Sequence, residues 1–317
     1  MFGVIGYWIF MPKYMETQFR QSASKASLIT GSIGLVCSGM GVLASGIVIS
    51  KFKPRPRYLA AWNVIVELCE VIGHFSYIFL NCAIDNLHGQ MKPDHTWELT
   101  ADCNVDCECG PRINYSPVCS SDGSTTFYSP CHAGCTATDI INNTKVYSNC
   151  SCIGSEGGGW VMEGACPADC TNIFTIFVVT ECILRFLSSS GRAGNTIIQF
   201  RCVKQEDKSV SIAFEALLAA LAFMPGPLVY GILLDSACIV WGSTCGETGN
   251  CWLYDGQRLG FVMNFTASAF LLLATLLDIG VWFYVKDLPI YDNDIETDIV
   301  RKKKKRRSKE KIELSIN

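Results

Sequence analysis

The 317-residue sequence is poor in charge: Asp, Glu, Lys and Arg make up 17% of it, against 49% hydrophobic residues and a mean hydropathy of +0.25. Soluble domains carry about a quarter charged residues, so an ordinary globular surface is excluded. Catalytic signatures are missing as well. No Gly-x-Ser-x-Gly, His-Glu-x-x-His or Gly-x4-Gly-Lys-Ser/Thr occurs, and His74, His88, His95 and His132 fit no metal-ligand spacing. Gly157-Gly158-Gly159 has no strand before it and no helix start after it, which argues against a phosphate cradle. An enzyme is not expected, nor a cofactor, a metal or a nucleic-acid partner. The opening Met1–Pro12 run lacks a basic leader and an Ala-x-Ala cleavage site, so it does not read as a signal peptide.

What the chain does contain is long apolar windows. Ala26–Ser50 holds no charged residue over 25 positions and Leu259–Leu277 none over 19, and 58–83, 171–190 and 210–234 are nearly as apolar. About 20 helical residues at ~1.5 Å each cross a ~30 Å hydrocarbon core, so five spans are predicted in a lipid bilayer. Met1–Pro12 is too short to be a sixth and reads as the outer half of a truncated helix, followed by a polar loop over 13–25. The chain is therefore expected to be a fragment.

Basic residues orient these spans. Lys51, Lys53, Arg55 and Arg57 follow the first, Arg192, Arg201, Lys204 and Lys208 the third, and Arg301 to Arg307 is an unbroken basic run in the tail, 286–317. These segments are placed inside, the tail against the anionic inner leaflet. The 84–170 loop has only Lys92, Arg112 and Lys145, and the 235–257 loop has no basic residue, so both are placed outside. The 13–25 loop, with Lys13, Arg20 and Lys25, runs against this bias.

Polar residues inside the spans mark candidate sites, because a charge near mid-membrane costs at least ~2.5 kcal/mol. Glu67, Glu70 and His74 fall on one helical face at i, i+3 and i+7, and Glu181 and Arg185 sit at i, i+4. Glu67, Glu70, His74 and Arg185 are the candidate lining of a substrate cavity, with mutual neutralisation of Glu181 and Arg185 as the plainer alternative. Pro225 and Pro227 require a kink in the fourth span. Gly34/Ser38 and Gly41/Ser45 suit close helix packing in the first.

Ten of the eighteen cysteines lie in 103–170: Cys103, Cys107, Cys109, Cys119, Cys131, Cys135, Cys150, Cys152, Cys166 and Cys170. An outer compartment oxidises such a set, so all ten are expected in disulfides. Cys245 and Cys251 are expected to pair in the later outer loop, leaving Cys238 as the odd thiol of thirteen. Asn114, Asn142 and Asn149 stand in outer glycosylation sequons, whereas that of Asn264 falls within a span.

The cysteine stretch carries a resemblance. Tyr115-Ser-Pro-Val-Cys119-Ser-Ser-Asp-Gly123, Tyr128-Ser-Pro-Cys131-His-Ala-Gly-Cys135 and Tyr147-Ser-Asn-Cys150-Ser-Cys152 resemble the Kazal-type module of the organic-anion-transporting polypeptides. Lys13-Tyr-Met-Glu16, Gln21-Ser-Ala-Ser24, Gly191-Arg-Ala-Gly-Asn195, Arg201-Cys-Val203, Pro225-Gly-Pro227 and Gly249-Asn-Cys251-Trp are similar to that family in the same order. The resemblance implies an all-α membrane protein, the C-terminal half of a twelve-helix major-facilitator fold with an inserted extracellular Kazal-like domain. The corresponding division is 1–83 membrane, 84–170 Kazal-like, 171–285 membrane and 286–317 cytoplasmic tail. It further implies sodium-independent plasma-membrane transport of amphipathic organic anions, with the N-terminal six-helix half or a full-length transporter as partner. Many members carry an arginine where this chain has Ala219, a departure that bears on anion selectivity. The competing readings are a tethered Kazal module for protease or adhesion binding and a regulatory fragment of a full-length transporter.

Overall fold

The computed structural model describes residues 2–82, 87–91, 97–109, 113–141, 144–154, 158–166, 169–244 and 247–285. It is mostly helical, and five helical segments are long and apolar enough to cross a membrane: Ala23–Phe52, Pro56–Tyr77, Thr171–Cys202, Gln205–Ser236 and Gly256–Tyr284. A further helix, α1 (Phe2–Phe19), precedes them. It runs through Pro12 where the sequence suggests a loop. Proline removes one backbone donor, but the face Met11, Tyr14, Met15 and Phe19 is fully buried, and that packing outweighs the lost hydrogen bond.

The first span consists of α2 (Ala23–Ser32), a π-helical turn (Ile33–Cys37) and α3 (Ser38–Phe52). The Ser22 hydroxyl caps it by accepting from the Lys25 amide, and Lys53, at a left-handed φ of 45°, ends it. Then α4 (Pro56–Tyr77) starts with proline at N1, where a missing donor costs nothing. The third span is α5 (Thr171–Cys202). The fourth divides at Met224 into α6 (Lys208–Phe223) and α7 (Pro225–Ser236), as two prolines in three residues require. The last, α8 (Gly256–Tyr284), is capped by the Asp255 carboxylate, which accepts from the Arg258 amide.

Helix α4 packs mainly on α8 and α5, and α3 on α5, while α1 lies against α7 and α8. At Gly41, α3 comes close to the backbone of α5: a Cβ there would strike the Phe186 carbonyl oxygen. By contrast α6 buries no residue and presents Phe214, Leu217, Leu218 and Leu221, with Glu215 also exposed.

The all-α description fits only the membrane part. Between α4 and α5 lies a module containing a five-stranded antiparallel sheet, formed by β3 (Val118–Ser120), β4 (Thr126–Phe127), β5 (Cys135–Ile141), β6 (Thr144–Cys150) and β7 (Gly159–Glu163), in the order β4-β3-β7-β6-β5. Ahead of it, β1 (Gln90–Met91) pairs with β2 (Trp97–Glu98). Its core is small, with Val118, Phe127, Ala133, Cys150 and Val161 at the centre. Four disulfides compensate: Cys103–Cys152, Cys109–Cys131, Cys119–Cys166 and Cys135–Cys150. Cross-links that close loops of 15 to 49 residues stabilise a domain by roughly 3 to 4 kcal/mol each. Cys82–Cys170 joins the end of α4 to the start of α5, so one bond clamps both strands of chain where the module leaves the helices.

Three cysteine expectations are corrected. Cys107 ends an exposed 3₁₀ turn and is a free thiol. Cys238 is bonded to Cys251, because β8 (Cys238–Thr244) and β9 (Glu247–Tyr254) form a hairpin that brings their Cα atoms to 5.8 Å. Cys251 therefore cannot pair with Cys245, which lies outside the described residues, as do Asn142 and the basic tail. Cys37–Cys182, tying the first span to the third, was not foreseen.

Candidate functional site

The centre of the bundle holds three charges in a seam between α4 and α5. On α5, the Arg185 Nε donates to Glu181 Oε1 at 2.8 Å, the one-turn pair visible in the sequence. From α4, Glu70 Oε1 approaches the Arg185 Nη1 at 3.8 Å. All three side chains are at most 4% exposed. The two contacts differ in kind: the first is a charge-assisted hydrogen bond, whereas Glu70 Oε1 has no hydrogen-bond partner and feels Arg185 only through space. At an effective dielectric constant near 20, a unit pair at this separation is worth about 4 kcal/mol before desolvation is subtracted.

Neighbours fix the seam. The Tyr77 hydroxyl donates to Glu181 Oε2 at 3.0 Å, so both oxygens of that carboxylate are engaged. The Trp8 ring of α1 lies 4.4 Å from the guanidinium carbon of Arg185, a cation–π contact shielded from water. His74 packs edge-on to Tyr7 at 4.6 Å, and its Nδ1 stands 3.4 Å from Asn264 Oδ1 of α8. Asn264 in turn donates to the Tyr14 hydroxyl at 3.0 Å and to the Gly260 carbonyl. The Tyr7 hydroxyl is buried without a partner. The arrangement holds one cation against two carboxylates, with an aromatic roof supplied by α1.

Of the four residues expected to line a cavity, Glu70, His74 and Arg185 come together here, though between helices rather than around open space. Glu67 is half-buried and faces Thr275 and Asp278 of α8 instead. Glu70, Glu181 and Arg185 are buried within this chain, one cation set against two carboxylates. Sequence reasoning missed Trp8, Tyr7, Tyr14 and Tyr77. The short α1 stub was read as incomplete rather than as the seam's cover. Asn264 was noticed only as a sequon, and its fully buried, hydrogen-bonded amide excludes a glycan. Asn114 and Asn149 are exposed on the module.

Outside the spans, hydrogen bonds from Ser120 and Ser124 hold the Asp122 carboxyl at about 2, while burial lowers the pKa of His132 below the ordinary 6.5. His132 accepts or donates through Nδ1 at 2.8 Å from the Ser129 hydroxyl. Both are structural parts of the module. Among the described residues no group of three or more His, Cys, Asp or Glu side chains is arranged to hold a metal.

Comparison with known proteins gives a consistent picture. Residues 1–259 match the model of the Organic Anion Transporter Polypeptide (OATP) family. The chain is 31% identical over 286 residues to solute carrier organic anion transporter family member 74D of Drosophila melanogaster, covering 88% of this chain and 34% of that protein. It is 31% identical to member 4A1 of Mus musculus, over 93% of this chain and 42% of that protein, and 30% identical to member 1A2 of Homo sapiens, over 80% and 39%. The chain thus spans 34% to 42% of the length of these relatives.

Proposed function

Because the chain belongs to the organic anion transporter polypeptide family, we propose that it is the second half of a twelve-helix, major-facilitator carrier that moves amphipathic organic anions across the plasma membrane without sodium. The family match over residues 1–259 carries this reading, and five apolar spans around a buried charged seam support it. The module and the β8–β9 hairpin face the exterior and the tail faces the cytoplasm, which puts the disulfides where thiols oxidise.

The seam has a role in this reading. Arg185 is held firmly by Glu181 and loosely by Glu70, so an anionic substrate group can take the place of Glu70 without stripping the arginine of its fixed partner. Exchange of one carboxylate for another anion leaves the count of charges against Arg185 unchanged, and Trp8 offers a ring face to the apolar body of the substrate. A rocking motion of two halves about such a midplane site is the usual physics of this kind of carrier.

Uptake of a labelled steroid sulfate into vesicles is the test. Residues 1–317 co-expressed with the N-terminal half of a relative should give saturable, sodium-independent uptake that Arg185→Ala abolishes, and residues 1–317 alone should give none. No uptake from the completed pair over anionic and neutral amphipaths would overturn the assignment.

A further inference from the structure

We propose that the Tyr7 hydroxyl on α1 is the second donor of an oxyanion site at Arg185, so that a sulfate or carboxylate group is held through two donors from two helices. The proposal rests on the reading of Arg185 as the partner of the substrate's anionic group. It adds a residue that selects among ligands.

Tyr7 is fully buried, yet its hydroxyl has no hydrogen-bond partner among the described residues. Buried phenols ordinarily find one, and a donor left unpaired costs stability. Its neighbours do find one: Tyr77 donates to Glu181 Oε2 at 3.0 Å, and Tyr14 accepts from Asn264 at 3.0 Å. The same cluster also seats Phe19 and Phe177, so an aromatic side chain is held there without a hydroxyl. A phenylalanine at position 7 would keep the ring contacts to His74, edge-on at 4.6 Å, and to Tyr14 at 6.0 Å. Packing therefore accounts for the ring of Tyr7 but not for its oxygen.

The charges around that oxygen supply the reason. Arg185 and Glu181 both act electrostatically on Tyr7, and Trp8, the next residue of α1, covers the guanidinium at 4.4 Å. Glu181 has both oxygens engaged, by Arg185 and by Tyr77. Glu70 is the loose member, with Oε1 3.8 Å from Arg185 Nη1 and no hydrogen bond. An oxyanion that takes its place meets Nη1 from α5 and finds in Tyr7 a second donor from α1. Sulfate and carboxylate carry the charge and at least two oxygens, so they accept from both donors, whereas a neutral amphipath lacks the charge that strengthens such bonds. The hydroxyl thus costs stability when unpaired and adds affinity when the anion pairs it, so its removal moves the two in opposite directions.

The test is Tyr7→Phe, read in two ways. As residues 1–317 alone in detergent, the variant should unfold at the temperature of its parent or above it. Co-expressed with the N-terminal half of a relative, it should need a roughly tenfold higher concentration of labelled steroid sulfate for half-maximal uptake, the loss of one charge-assisted hydrogen bond, with the maximal rate little changed. Inhibition of that uptake by the unsulfated steroid should shift far less. Tyr230→Phe removes another buried hydroxyl without a partner among the described residues, on α7 against Gly6, where Arg185 does not act on it, and should leave half-saturation unchanged. Unchanged half-saturation in Tyr7→Phe, beside an Arg185→Ala variant that has lost uptake, would overturn this proposal and leave the reading of Arg185 standing, whereas uptake that survives Arg185→Ala would overturn both. An equal shift for the unsulfated steroid would also sink it. So would a Tyr7→Phe chain that unfolds well below its parent, since the hydroxyl would then be paired already in the folded protein, as by a fixed water.

Discussion

Replacing Arg185 by methionine tests the seam most directly. The side chain is 3% exposed and compensates Glu181 at 2.8 Å and Glu70 at 3.8 Å, so its loss leaves two buried carboxylates within reach of each other and of no described cation of equal proximity. Breaking a buried pair by removing one partner costs roughly 3 to 5 kcal/mol, and the second carboxylate adds to that. Trp8 loses its cation as well. The expected result is a drop of many degrees in the temperature at which the detergent-solubilised chain leaves the monodisperse peak. The double variant Arg185→Met/Glu181→Gln should recover part of the loss, because it removes the carboxylate that depended on the arginine most. A coupling energy of at least ~1 kcal/mol between the two sites is expected for groups in one network. An Arg185→Met protein as stable as its parent, or two strictly additive single changes, would refute the account of the seam as a mutually compensated unit.

Three further outcomes follow from the packing and the module. Asn264→Leu removes the donor to Tyr14 and the partner of His74, and should destabilise the chain by about 1 to 3 kcal/mol in the same melting assay, with no change in glycan mass. Gly41→Val should be more damaging than Gly46→Val, since a Cβ at Gly41 meets the Phe186 carbonyl whereas at Gly46 it meets nothing within 4 Å; equal effects would show that α3 and α5 are not in close contact. The module should loosen in acid. Burial lowers the pKa of folded His132 below its ordinary 6.5, so the unfolded state binds more protons and stability falls as pH drops through 6.5 toward the folded value. Reduction of the module's disulfides by a phosphine should therefore be faster at pH 5 than at pH 7, with His132→Asn removing most of the difference.

The helices were legible because lipid imposes a crude rule: about twenty apolar residues, with interruptions visible as proline or charge. That rule located all five spans and the break at Met224. It could not locate α1 correctly. Eighteen residues with Pro12 inside and Lys13 and Glu16 after it look like a stub and a loop, and only the burial of Met11, Tyr14, Met15 and Phe19 shows why the helix continues. Cysteines were legible as a class but not as pairs. Parity over thirteen outer sulfurs left one unassigned because Cys82 had been read as part of a span, whereas it lies past the end of α4 and bonds Cys170. Spacing favoured Cys245 with Cys251, yet the irregular β8–β9 ladder, which sets Cys238 opposite Tyr254 and Trp241 opposite Cys251, leaves the Cys238 and Cys251 Cα atoms 5.8 Å apart and bonded.

The site shows the same division between what one helix reveals and what several assemble. Glu181 and Arg185 are one turn apart, so their pairing is a local fact and could be read directly. Glu67, Glu70 and His74 share a face by periodicity, but a face of a helix is broad, and neighbouring helices divide it. Glu70 turns to α5 and Arg185, His74 to α1 and Asn264, and Glu67 to Asp278 on α8. On the proposed reading as half of a carrier, the division changes what would be needed from the other half. With Glu70, Glu181 and Arg185 already buried within this chain, a second half is not required to cover those three charges. What lies open is instead the apolar surface of the π-helical turn, α3 and α6, where Leu35, Leu43, Ile47, Phe214 and Leu221 are each more than half exposed. Such a surface sits in lipid without cost, so the energetic case for a partner half rests on completing a substrate path, and an isolated chain can be inserted and stable while remaining unable to transport.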